Sequence, residues 1–388
     1  MRTAYNEQSL YNLMVVKEAR QWWKHGLMDQ PQFQAISEAY KNPLYHPNLT
    51  IRLLLFCATL LALSGASGFF FLVFNEIGVE GISAAAVIYG IASFFFLQRI
   101  FIKSAHHYKS GVTEALLYHA IGFTIGGLSS LFRFETNGLL WICLLVFSFT
   151  SFRYLDLLCT LSGILSLAGV LFFEFYGLGG IFQQIIPFVF IAFFLPVYFL
   201  TKTIKKRKTF YVWTNVLLVI ESVNLLLIYF AGNYLVVREL SINMMQLELA
   251  EGEDIPFAFI FYSLTALIPL VYLYFGIKNK DVVLLRVSLV LIAISVFTFK
   301  YYYGFGHPEI TLTLAGAILL IISIGLFKYL KVVRYGFTRE NILSEKWGDA
   351  NIAAFVVSQT MGGNQVKVDD SFKGGWGEFG GGGATGDF

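Results

Sequence analysis

Long runs of apolar residues with few polar interruptions dominate the chain. They fall at approximately 51–74, 81–102, 111–131, 138–152, 155–173, 181–201, 211–232, 255–276, 281–299 and 309–329. A bilayer core of about 30 Å takes roughly 20 apolar residues in a helix. The runs are apolar all round and lack the period-two alternation of barrel strands, so each predicts a membrane helix. The fourth run is short and the third carries Glu114 and His119, which leaves nine to eleven spans open. The expected fold is all-α: a polytopic bundle of about ten transmembrane helices over 51–331, with a soluble unit at 1–50 and a tail at 332–388.

Residues 5–25 have a different pattern. Leu10, Leu13, Met14, Lys17 (through its stem), Trp22 and Leu27 recur near helical spacing, and Gly26 is a suitable stop. Asp29 suits the cap of a second helix with Pro31 in its first turn and Phe33, Ile36 and Tyr40 as its apolar stripe. Two short helices bury little alone. The hairpin is therefore expected to pack on the protein's own membrane face, with lipid headgroups or a membrane-protein partner at Trp22 and Trp23 as the alternatives.

The run Trp22-Trp23-Lys24-His25-Gly26-Leu27-Met28-Asp29-Gln30-Pro31-Gln32, followed by Ile36 and serial membrane helices, resembles an uncharacterised family of bacterial multi-pass proteins. That family is a membrane domain of unknown function whose members open with a Trp–Gly–Leu/Ile helical hairpin. The specific likeness covers about thirty residues, and the rest matches in architecture only. The resemblance implies a bacterial inner-membrane location and supplies no catalytic residues.

Composition strengthens the membrane reading: 56% of the residues are hydrophobic and only 14% charged, about half the usual charged fraction. That balance excludes a soluble enzyme, a disordered chain and a collagen-like one. Charge distribution then gives orientation. With ten helices and a cytoplasmic N-terminus, all 28 Lys and Arg except Arg133, Arg238 and Lys300 fall on the cytoplasmic side, as basic residues prefer. Both termini are thus expected in the cytoplasm. The cluster Lys205-Lys206-Arg207-Lys208 reads as part of that signal, and no nucleic-acid partner is expected. About fifty polar and amphipathic residues precede the first run, so the first helix reads as an uncleaved anchor.

The tail ends in a stretch with ten glycines within 362–388. It reads as a flexible tether, or alternatively as a partner-docking peptide through Trp376, Phe379 and Phe388. Cys57, Cys143 and Cys159 lie in apolar runs without a Cys-x-x-Cys spacing and are expected to be buried free thiols. His106-His107 reads as a headgroup contact. No enzyme, cofactor or metal motif is present, so no catalytic residue, cofactor or metal is expected.

Ionisable residues within membrane helices are costly and mark candidate sites. Glu221, ten residues after the helix start expected at 211, falls roughly 15 Å along its axis, near the midplane. Thr214 and Asn224 share its face at spacings of seven and three. His119 lies on another helix of the same direction, with Gly122 and Gly126 on its side and a close helix approach expected there. Glu221, His119, Asn224 and Thr214 are the candidate substrate- or ion-binding residues. They either hydrogen-bond neighbouring helices or, with His119 modulating Glu221, bind a proton or cation. Pro187 and Pro196 are expected to interrupt the sixth helix and Pro269 the eighth. The leading expectation is a non-enzymatic scaffold or accessory subunit of a membrane assembly. The alternative is a secondary transporter with its halves in opposite orientation, although no sequence similarity links those halves.

Overall fold

The computed structural model describes residues 3–245 and 253–303, with scattered helical positions between 316 and 329. Most of the tenth expected span lies outside these residues, and the tail with its aromatic residues lies wholly outside them. Among the described residues there are twelve α-helices and no strand, and nine helices are long and apolar enough to cross a membrane. The chain is an integral membrane protein built as an all-α polytopic bundle.

The N-terminal hairpin forms where the capping residues place it. Helix α1 (Glu7–Lys24) starts at Asn6, whose side chain accepts from Ser9 N, and stops at Gly26, which takes φ of +71°. Helix α2 (Gln30–Ala39) begins after Asp29, whose N–H donates to the Gln32 side chain (3.1 Å). Trp23 stacks on Phe33 across the hairpin, 5.3 Å between centroids, while Trp22 remains exposed. The hairpin also packs on the bundle. Ala4 N donates to Arg153 O (2.8 Å), Tyr211 Oη donates to Glu7 O (3.2 Å), and the Tyr5 ring meets Tyr108 edge-on.

The spans follow as α3 (Leu49–Phe74), α4 (Gly78–Phe96, continued by a π-helical segment Leu97–Ser104), α5 (Val112–Phe132), α6 (Thr136–Tyr154) and α7 (Leu157–Leu178). They continue as α8 (Ile181–Lys205), α9 (Thr214–Gly232), α11 (Ala258–Asn279) and α12 (Val282–Tyr303). Between α9 and α11 lies α10 (Tyr234–Asn243), a short helix in the segment between the apolar runs 211–232 and 255–276. Asn233 starts it by accepting from Val236 N (3.2 Å). Antiparallel pairs α4–α5, α6–α7, α8–α9 and α11–α12 are the packing units, and α9 also contacts α7, α11 and α12. Half of the apolar stretch of α9 is buried, against 6% of that of α3, so α9 is central and α3 peripheral.

Three local expectations are corrected. Cys57 is exposed on α3 and Cys143 half-buried, so only Cys159 is a core thiol. Pro187, Pro196 and Pro269 sit inside continuous helices α8 and α11 rather than breaking them. Neighbouring helices can absorb such residues by supplying the missing hydrogen bond. Close approach of α4 and α5 runs through Gly127, where a methyl would stand 2.9 Å from Ser83 O, whereas one at Gly122 or Gly126 would meet nothing within 4 Å among the described residues.

Candidate functional site

Glu221 is completely buried on α9. The helix proper begins at Thr214, after a 3-10 turn over Lys208–Trp213. Glu221 therefore lies about 10 Å into the α-helix and near the middle of the apolar span Thr209–Gly232, and Lys205 from the last turn of α8 reaches it. The Lys205 ammonium donates to Glu221 Oε2. Among the described residues Glu221 Oε1 has no hydrogen-bond partner, and neither has Oδ1 or Nδ2 of Asn224, one turn further along and 1% exposed. Two acceptors and one donor thus stand unused in a buried site. Such groups normally bind ordered water or another polar species.

A second ion pair lies beside it. Lys202 donates to Asp281 Oδ2 (2.8 Å) and to Tyr198 Oη (3.2 Å). Asp281 Oδ1 accepts from Val283 N (3.0 Å) at the start of α12. Burial alone raises the Asp281 carboxyl, but Lys202 and the helix N–H groups outweigh it and hold the group below the usual carboxylate range.

The other sequence candidates are elsewhere. His119 Nε2 is 3.3 Å from Tyr89 Oη of α4, and its ring packs on Phe123. Thr214 donates to Tyr211 O (2.7 Å) and faces Leu10 and Met14 of α1. Glu221 and Asn224 therefore form one site with Lys205, and His119 and Thr214 belong to two separate packing contacts.

Sequence reasoning missed a further polar cluster, at the end of the bundle covered by the hairpin. Glu114 Oε1 accepts from Arg52 (2.6 Å), and Oε2 from Gly111 N (2.8 Å) and Thr113 Oγ1 (2.9 Å). Asp156 starts α7 by accepting from Cys159 N (2.8 Å) and also takes the Tyr118 hydroxyl (3.0 Å). Burial raises Tyr5 and pushes Tyr108 up to about 12, and it lowers Lys109. His107, expected as a headgroup contact, is half-buried between Tyr45 and Phe101 and lies 3.0 Å from Ser110 Oγ. Its burial lowers its pKa. The available signal was Glu114 three residues after Gly111, where a carboxylate in the first turn can accept from the N–H at the helix start.

At the opposite end of the bundle, a cavity of about 380 Å³ opens between α7, α8, α9, α10 and α11. Phe172, Phe190, Leu227, Phe230 and Phe261 wall it, and neither Glu221 nor Asn224 lines it. Among the described residues no group of three or more His, Cys, Asp or Glu side chains is placed to hold a metal. No protein-family model, curated protein or solved structure matches the chain.

Proposed function

We propose that the protein is a non-enzymatic scaffold or accessory subunit of a membrane assembly, located in a bacterial inner membrane with both termini in the cytoplasm. The location rests on the resemblance of the Trp22–Gln32 hairpin and the orientation on the one-sided distribution of Lys and Arg. The observation that carries the scaffold reading is on α3. Leu54, Leu61, Phe69 and Leu72 are 66–75% exposed, and between them a methyl added at Gly65 or Gly68 would meet nothing within 4 Å among the described residues. Glycine on a lipid-facing helix surface gives up packing area and helix propensity. On a face that receives another membrane helix it permits close backbone approach. Gly68→Leu should therefore release an assembly partner, read as a shift to smaller mass on native gels of solubilised membranes, while leaving the isolated bundle's melting temperature unchanged. An unchanged native mass would count against the reading.

The second reading, a secondary transporter coupled through Glu221, is favoured by the unused hydrogen-bonding atoms of Glu221 and Asn224. Opposed to it are the Lys205 pairing and a cavity that stops short of the site. Glu221→Gln decides between them. A carrier would lose proton-coupled uptake in proteoliposomes while eluting as a folded protein on size exclusion. A scaffold would keep its fold and its partners.

A further inference from the structure

Each proline in a membrane helix denies a hydrogen bond to the carbonyl four residues before it. At Pro269 the affected carbonyl is that of Thr265, and Ser295 Oγ of α12 donates to it (2.9 Å). At Pro187 the affected carbonyl belongs to Gln183. Both residues line the 380 Å³ cavity, and among the described residues no side chain donates to that carbonyl. At Pro269 a neighbouring helix thus supplies a donor, whereas at Pro187 the two residues concerned line the cavity.

The cavity's size falls within the range of small-molecule sites. Among the described residues none that lines it is ionisable, and the polar side chains are Gln183, Gln184 and Ser241. Gln183 Nε2 is held by Tyr176 O (3.1 Å) and Ser241 Oγ by Val237 O (2.8 Å), which fixes two of the three. A charged ligand here would be desolvated without a counter-charge. A neutral one with an apolar body and one hydroxyl would bury its body against the phenylalanines and donate to the carbonyl that Pro187 deprives of its usual N–H donor.

We propose that this cavity is a binding site for a neutral lipid alcohol, its hydroxyl donating to the Gln183 carbonyl and its chain lying among Phe190, Phe230 and Phe261. The proposal goes beyond the scaffold reading and does not depend on it.

The test uses the full chain in phosphatidylcholine nanodiscs, with Phe230→Trp as a fluorescent reporter. The probes are ω-bromoundecanol and the permanently charged ω-bromoundecyl sulfate, compared at equal concentration in the bilayer. Saturable quenching by the alcohol, with the sulfate at least about tenfold weaker, is the expected result. Pro187→Ala returns an N–H to the Gln183 carbonyl and should weaken the alcohol by several-fold. Ala231→Phe places a ring in the cavity and should abolish the saturable component without lowering the melting temperature. Equal quenching by both probes would overturn the proposal. So would saturable binding that survives Ala231→Phe, or a marked fall in melting temperature in that variant, which would mean the space is not free. If Phe230→Trp does not fold, Phe172→Trp reports from the half-buried wall of the same cavity.

Discussion

Glu114 and Glu221 are both nearly sealed from solvent, 6% and 0% exposed, and each is paired with one basic side chain. Their surroundings differ. Glu114 sits in the first turn of α5, where both oxygens are occupied by Arg52, the Gly111 N–H and the Thr113 hydroxyl. Glu221 sits inside α9, where every neighbouring N–H belongs to the helix ladder, and one of its oxygens is left over. A carboxylate at a helix start is consumed by the orphan donors and the positive end of the dipole. The same group a few turns further on keeps bonding capacity that structure alone does not use. Helix position, more than burial, separates the structural acid from the candidate functional one.

The largest expected effect strikes the Glu114 side. Gly111 holds φ of +90°, and a Cβ there would overlap the Arg52 carbonyl oxygen. Gly111→Ala should cost more than about 3 kcal/mol in mixed-micelle unfolding. A loss below about 1 kcal/mol would show that α3 and α5 do not meet as closely as described.

The next effect separates the two carboxylates directly. Lys205→Met leaves Glu221 buried without its counter-charge and should cost about 3 kcal/mol, most of which returns on adding Glu221→Gln. Arg52→Met combined with Glu114→Gln should recover less, by about 1 kcal/mol, because a neutral amide is a poorer acceptor for the Gly111 N–H and the Thr113 hydroxyl. Equal recovery in both double variants would erase the distinction.

The smallest effect concerns Asp281, a carboxylate that starts α12 much as Glu114 serves α5. Its pKa is depressed in the folded protein, so its stabilisation is complete above the unfolded value of about 4 and is lost as pH falls through the lower folded value. Asp281→Asn should remove that part of the acid-side slope in melting temperature. An unchanged slope would mean that the Lys202 pair is not maintained in the membrane.

The spans could be read from the sequence because each is a continuous apolar run, and the hairpin because Gly26 and Asp29 carry local capping chemistry. Glu221 and Asn224 were legible as polar residues sharing one face of an apolar helix. Their partner was not. Lys205 stands within a basic cluster that reads as an orientation signal, and only the register between α8 and α9 brings it to Glu221. The cavity escapes any reading of sequence, since it is assembled from five helices whose phenylalanines and leucines look like every other apolar position. The error at Gly122 and Gly126 has the same origin: a glycine shows that close approach is allowed, and tertiary packing decides which glycine uses it.

The docked N-terminus also bears on how the protein is made. Thr3, Ala4 and Tyr5 are over nine-tenths buried, and the surface that covers them includes Arg153 at the end of α6. The Glu7 carbonyl is met by Tyr211, 204 residues later. The earliest part of the described chain to emerge during synthesis therefore has no finished seat until six spans have entered the membrane. Contacts of such sequence separation form late. Protection of Ala4 and Tyr5 from proteolysis would then time the completion of the core, and a chain stalled before α9 would carry its hairpin exposed to the quality-control machinery.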